Sequence, residues 1–130
     1  MIVLDTHIWV RWIIEGEASL PPSTAAAIRD EERVAVSAIS CMEVLCLEKA
    51  GKLALPVGVT EWIRAALEPA GVDSLEVTCE IAACAVRLPS HHKDPADRLI
   101  IATALVHGAN LSSADDKFHL YEELRGRLLT

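Results

Sequence analysis

Acidic side chains stand beside the short apolar segments of this 130-residue chain, where they could share one site. Asp5 directly ends the first apolar run. The other candidates follow later runs or open the helix before the last one: Glu43, Asp94, Asp97, Asp115 and Asp116. Carboxylates that lie close together repel one another unless a cation or protons intervene, and hard divalent metals prefer oxygen ligands. The set therefore predicts a site for a divalent cation.

Most of these carboxylates have an alternative role as helix caps. Ser40 and Glu43 have the spacing of a capping box. In the segment from Asp94 to Asp97, Asp94 could be the N-cap of a helix, because a proline follows it at the first helical position, where proline is favoured. The aspartates after the last apolar run could cap in the same way. Asp5 is expected to be different, because a carboxylate at the end of a buried strand is costly unless it is paired or binds a metal.

The elements that must position these residues alternate between short apolar strands and helices. Strands are predicted at 2–4, 34–36, within 71–77 and at 109–112. Helices are predicted at 8–14, 37–50, 60–67, 80–88, 94–106 and 115–124, and a further helix is predicted to begin with Ser23 as its N-cap. Gly51 is the predicted left-handed C-cap of the helix at 37–50. This alternation predicts an α/β fold, a three-layer α/β/α sandwich around a mostly parallel sheet of four to five strands. Ligands of such sheets bind beyond the carboxyl ends of the strands, which is where the carboxylates fall.

Composition limits the class of protein. The length is typical of one domain over residues 1–130, and 52% hydrophobic residues exclude a disordered chain. The longest apolar stretch, 99–106, is too short to cross a membrane, and no cationic segment precedes the first apolar run, so we expect a cytoplasmic protein. A net charge of −7 argues against binding nucleic acid through a broad basic face.

Five motifs occur in one order along nearly the whole chain: Val3-Leu4-Asp5-Thr6-His7, Ser37-x-x-Ser40-x-x-Glu43, Gly51-Lys52-Leu53, Asp94-Pro95-Ala96-Asp97-Arg98-Leu99-Ile100-Ile101-Ala102 and Leu111-Ser112-Ser113-Ala114-Asp115. In this order they resemble the PIN-domain family, specifically the VapC-like toxins of prokaryotic toxin–antitoxin pairs. The resemblance implies a PIN-like fold and a metal-dependent endoribonuclease that leaves a 5′-phosphate.

The resemblance also implies the site residues and partners. Asp5, Glu43, Asp97 and Asp115 would be the catalytic carboxylates that bind Mg²⁺ or Mn²⁺, with Asp94 as a second-tier ligand. The spacing after Ser113 favours Asp115 over Asp116 as the fourth carboxylate. The implied partners are an RNA substrate, a cognate antitoxin that blocks the acidic cleft and a second copy in a homodimer, with no membrane.

Several interpretations stay open. A catalytically silent PIN-like scaffold that binds a protein partner or RNA is the main alternative function. A receiver-type phosphoacceptor domain would need paired acids near the end of the first strand and an Asp after the third, which this sequence lacks. A phosphotransferase of the haloacid dehalogenase type would need a second Asp at the position of His7. Cations that could hold RNA are Arg11, Lys93 and Arg98. His7 is interpreted as support for Asp5 or as a structural histidine, and His91 and His92 as loop surface. The helical spacing of Trp9, Trp12 and Trp62 favours a place in the core or a subunit interface over stacking on RNA bases.

Overall fold

Within residues 1–129, which the computed structural model describes, five strands form one parallel sheet. The strand order is β3-β2-β1-β4-β5, so β1 lies in the centre, and every neighbouring pair is parallel. The strands are β1 (Ile2–Leu4), β2 (Val34–Ser37), β3 (Val72–Leu75), β4 (Asn110–Ser112) and β5 (Leu128–Leu129). The predicted α/β class is confirmed, and the sheet is wholly rather than mostly parallel.

Six α-helices occur in the same described part of the chain: α1 (Thr6–Glu15), α2 (Pro22–Asp30), α3 (Ala38–Lys49), α4 (Val59–Ala65), α5 (Cys79–Arg87) and α6 (Pro95–Val106). The helix predicted over 115–124 is wrong. That segment forms two 3₁₀ turns, Phe118–Leu120 and Glu122–Leu124. Its buried residues Phe118, Tyr121 and Leu124 recur every third position, a spacing that a 3₁₀ turn places on one side.

Apolar side chains cover both faces of the sheet. Ile2 and Leu4 pack with Trp9 and Trp62 among helices α1 to α4, whereas Val3 packs on the opposite face, with α5, α6 and the 3₁₀ turns. Because strand side chains alternate between faces, burial on both sides requires the uninterrupted apolar sequence of the central strand β1, whereas Asp73 and Ser74 are exposed in the edge strand β3. This arrangement confirms the three-layer sandwich. No helix in residues 1–129 combines the length and apolarity needed to cross a membrane.

Two of the predicted helix ends, at Asp94 and at Gly51, are confirmed. Asp94 caps α6, since its Oδ1 accepts the backbone N–H of Ala96 at 2.9 Å. Gly51 follows the last residues of α3 with φ of 73°, the left-handed conformation expected there. Ser23, however, lies inside α2, whose N-cap is Pro21. The correction is physical: Pro22 suits the first helical position, so the helix begins before the serine.

Candidate active site

The carboxyl ends of β1, β2 and β4 open on one rim of the sheet, and the N-terminus of α6 faces the same rim. Four of the predicted carboxylates come together there: Asp5 after β1, Glu43 on α3, Asp97 on α6 and Asp115 after β4. Their charges perturb one another's pKa values, and Asp94 acts on Glu43 and Asp97. Asp116 is exposed. The structure thus gathers carboxylates from distant segments.

Asp5 is 4% exposed, and both of its oxygens are held by hydrogen bonds. The backbone N–H of Thr6 donates to Oδ1 at 2.7 Å, and the Ser113 hydroxyl donates to Oδ2 at 2.8 Å. The first bond makes Asp5 the N-cap of α1, so the expectation that it has no capping role is wrong. Burial raises the pKa of Asp5 above its ordinary value, against the effect of the two hydrogen bonds and of His7.

Glu43 enters the site from α3, where its Oε1 accepts a hydrogen bond from the Thr6 hydroxyl. The same Oγ1 of Thr6 lies 2.8 Å from Oγ of Ser40. Ser37, rather than Ser40, is the N-cap of α3, so the capping-box alternative for Glu43 is wrong. Burial raises the pKa of Glu43, and the charges of nearby aspartates raise it further.

Asp97 lies in the first turn of α6 and is half-buried. Its side chain makes no hydrogen bond with any residue in the range 1–129. Burial raises the pKa of Asp97 to about 6, and the charges of Asp5, Asp94 and Asp115 add to this effect, while His92 opposes it. A half-buried carboxylate without a donor is free to bind a cation.

Asp115 is held more firmly than its 34% side-chain exposure suggests. Oδ1 accepts the backbone N–H of Lys117 at 2.8 Å, and Oδ2 lies 3.1 Å from Nε2 of His92. Burial acts to raise the pKa of Asp115, but Lys117 and His92 outweigh it and hold the value below the ordinary one. Ser113 links the backbone of Asp115 to the Asp5 carboxylate, because its hydroxyl accepts the Asp115 backbone N–H at 3.0 Å and donates to Oδ2 of Asp5.

His92 is the site residue that sequence reasoning missed. The sequence predicts that His92 lies on the surface of a loop, yet the residue is buried, with 7% exposure. One ligand atom each of His92, Asp97 and Asp115 lie within 4.8 Å of one another. The available signal was the position of the histidine two residues before the α6 cap, but its contact with Asp115 spans 23 residues and depends on the fold.

The donor set fits a divalent cation. Carboxylates predominate, and burial and like charge raise the pKa of Asp5, Glu43 and Asp97 together, which is an electrostatic cost that a bound cation would relieve. Oxygen-rich ligands of this kind suit Mg²⁺ or Mn²⁺.

Of the candidate RNA-binding cations, Arg98 is occupied elsewhere. Its guanidinium donates to four backbone carbonyls around the connection between α5 and α6, those of Val86, Leu88, Pro89 and His92. Lys93 is exposed and Arg11 is half-buried. Arg98 therefore fixes the loop that carries His92.

The sequence profile of the PIN domain family matches residues 2–124. The chain belongs to the PIN-domain family. Ribonuclease VapC22 of Mycobacterium tuberculosis (strain ATCC 25618 / H37Rv) is 34% identical over 125 residues, which cover 95% of this chain and 94% of that relative. The resemblance inferred from the five motifs is thereby confirmed.

Solved structures share the fold of this PIN domain. A toxin–antitoxin complex from Klebsiella pneumoniae contains a chain that superposes with a TM-score of 0.66 at 19% identity, covering 100% of this chain and 97% of that one. VapBC2 from Rickettsia felis, bound to a DNA fragment from its promoter, superposes with a TM-score of 0.69 at 20% identity, covering 99% and 98%. Both likenesses support the sheet and helix arrangement described above.

Proposed function

We propose that this PIN domain is a metal-dependent endoribonuclease that hydrolyses RNA phosphodiester bonds at a carboxylate-bound Mg²⁺ or Mn²⁺ site. One observation carries the proposal: carboxylates from four separate elements meet at the rim of the sheet, and the pKa values of three of them are raised. RNA is favoured as substrate because the relative from Mycobacterium tuberculosis is named a ribonuclease.

Asp5, Asp97 and Asp115 would hold the ion, and Asp94 at the exposed edge would be a second-tier ligand. Glu43 would either bind the ion through water or take a proton from the attacking water. A bound Mg²⁺ or Mn²⁺ supplies charge neutralisation of the scissile phosphate and acidifies a water molecule. The protein prepares the ligands in advance. Both oxygens of Asp5 are fixed by donors from Thr6 and Ser113, so that carboxylate needs little reorganisation on binding.

Glu43 is suited to take a proton from the attacking water. The Thr6 hydroxyl engages Oε1, which leaves Oε2 as the proton acceptor. The pKa of Glu43 is raised by burial and by neighbouring aspartates, and a carboxylate with a raised pKa is a stronger base near neutral pH.

The test is cleavage of structured RNAs by the purified protein with Mg²⁺, Mn²⁺ or EDTA. We expect cleavage only with metal, products that carry a 5′-phosphate, and loss of cleavage in Asp97→Asn. Asp116→Asn is the matched control, because Asp116 is an exposed aspartate beside Asp115 and should leave cleavage unchanged.

Two results would contradict the proposal. Equal cleavage by the protein and by Asp97→Asn would show that the cleavage does not come from this carboxylate site. No cleavage by a folded protein that binds metal, across a broad set of RNAs, would favour the catalytically silent scaffold.

The proposal extends to a protein partner, an antitoxin. One solved relative is a toxin–antitoxin complex, and a net charge of −7 would attract a basic segment to the acidic rim. Expression in a bacterial host is expected to arrest growth, and Asp97→Asn is expected to restore it. Growth arrest by both forms would argue against a toxin that acts through this site. The homodimer remains a prediction.

A further inference from the structure

The buried ring of His92 has a hydrogen-bond partner at each nitrogen. Nε2 lies 3.1 Å from Oδ2 of Asp115, and Nδ1 lies 3.0 Å from the hydroxyl oxygen of Tyr121. That hydroxyl oxygen also accepts the backbone N–H of His92 at 3.1 Å. Tyr121 is 1% exposed, so the hydrogen bonds that connect Tyr121, His92 and Asp115 are mostly shielded from water.

The positions of the protons follow from these contacts. An ionised carboxylate only accepts hydrogen bonds, so Nε2 must carry the proton that faces Asp115. Tyr121 already accepts the backbone N–H of His92, and its own hydroxyl proton is directed to Nδ1. The Nε2 proton of His92, its backbone N–H and the Tyr121 hydroxyl proton then each have an acceptor, as buried polar groups require.

The surroundings prevent the ring from turning. Phe118 meets the His92 ring edge-on at a centroid distance of 5.1 Å, and Tyr121 stacks on it at 5.7 Å. Arg98 donates to the His92 carbonyl at 3.3 Å and to three further carbonyls close by. The imidazole therefore presents Nε2 to Asp115 from a fixed direction.

We propose that His92 is a positioning residue: its Nε2–H holds the Asp115 carboxylate in the orientation that binds the cation, and Tyr121 fixes the ring. This inference rests on the proposed function, because it assigns Asp115 to the metal. The competing role is that of a direct metal ligand, in which Nε2 carries no proton and Nδ1 donates to Tyr121. The two roles differ in the tautomer of one ring.

The first test determines which nitrogen of His92 carries the proton, and it requires no assay of activity. Long-range ¹⁵N–¹H spectra of the metal-free protein, labelled at histidine, distinguish a protonated from an unprotonated Nε2. We expect a protonated Nε2 in His92, and a displaced Nδ1 resonance in Tyr121→Phe, which keeps the ring and removes the hydroxyl. An unprotonated Nε2, with or without added metal, would overturn the proposal.

The second test measures Mn²⁺ affinity by calorimetry. His92→Leu, which fills the space without a donor, is expected to weaken Mn²⁺ binding by about 10- to 100-fold, the range for removing the partner of a ligand. His92→Gln can bring an N–H to the place of Nε2 and should restore most of the affinity. His91→Gln is the matched control: His91 packs against the same tyrosine at 4.7 Å, edge to face, and its substitution should leave affinity unchanged.

The two proposals fail in different ways. A wild-type protein that neither binds Mn²⁺ nor cleaves RNA, with Nε2 protonated as expected, would remove the proposed function. A wild-type protein that does both, with a His92→Leu variant that does both equally well, would overturn the positioning role alone. If the leucine variant does not fold, Tyr121→Phe carries the affinity test, with a smaller weakening expected and an unchanged affinity again counting against the proposal.

Discussion

Asp97 imposes a cost on the native state that depends on pH. Its pKa is about 6 in the folded protein, where burial and three carboxylates disfavour its charge, against an ordinary value of 3.8. Between these two values the native state binds a proton that the unfolded chain has released. The penalty is therefore present in full above about pH 6 and disappears as the pH falls towards about 4.

We predict that Asp97→Asn stabilises the metal-free protein by about 1 kcal/mol at about pH 8, with no gain near pH 4. The full pKa difference corresponds to about 3 kcal/mol, which is reduced here because water screens a half-exposed group. Urea unfolding at the two pH values measures this. Asp116→Asn serves as the control, and a gain of equal size at both pH values would rule out the electrostatic explanation.

Thr6 joins Asp5 to Glu43, since its backbone N–H donates to the Asp5 carboxylate and its hydroxyl donates to the Glu43 carboxylate. We predict that Thr6→Val lowers cleavage strongly and destabilises the protein by about 1–3 kcal/mol, because the half-buried carboxylate of Glu43 and the buried hydroxyl of Ser40 lose a hydrogen-bond partner. Thr6→Ser keeps the hydroxyl and should retain most activity. Thermal unfolding and RNA cleavage measure the two effects; similar losses in both variants would contradict a role for the hydroxyl.

At the scale of elements, the connection between α5 and α6 determines where His92 lies. Arg98, in the first turn of α6, donates to backbone carbonyls at the end of α5 and in the loop that follows it. One side chain therefore holds the end of α5 and the loop against the start of α6. These contacts satisfy carbonyls that the end of a helix leaves without partners.

We predict that Arg98→Lys destabilises the protein by about 1–3 kcal/mol, because an ammonium cannot reproduce the fork of donors that a guanidinium offers to several acceptors. Arg87→Lys is the matched control, an exposed arginine in the last turn of α5. Urea unfolding compares the two variants. Equal stabilities would mean that the carbonyls do not depend on the guanidinium.

At the scale of the whole molecule, the net charge of −7 is partly concentrated at one rim. Folding brings the carboxylates together, whereas the unfolded chain keeps them apart, so a cation that binds the rim must favour the folded state. The increase in the free energy of unfolding depends only on the dissociation constant and the free concentration of the cation.

We predict that Mg²⁺ or Mn²⁺ at about 100 times its dissociation constant stabilises the protein by about 2.7 kcal/mol, and that EDTA reverses this. The rise in Tm should be lost in the double variant Asp5→Asn, Asp97→Asn and kept in Asp116→Asn. Sodium chloride of matched ionic strength separates site binding from general screening; an equal rise with the sodium salt would contradict a specific site.

The sequence by itself determined most of the helices and strands and the rim of the sheet at which the carboxylates lie. Apolar runs between glycines and prolines specify strands and helices locally, and Asp94 followed by Pro95 begins α6 through contacts within one turn. Since parallel strands end at one edge, the acidic residues that follow them, Asp5, Glu43 and Asp115, were expected to meet there. Asp97 begins the helix that leads into β4, and the choice of these four among the acidic residues came from the resemblance to the PIN-domain family.

Only the tertiary structure decided how those carboxylates are held. Ser113 reaches Asp5 across 108 residues, and Thr6 reaches Glu43 across 37. The same holds for His92, whose burial depends on Tyr121, and for residues 115–124, whose 3₁₀ turns follow from packing every third side chain into the core. Such contacts cannot be predicted from the spacing of nearby residues, because the distance between residues far apart in the chain is set by how helices and strands pack.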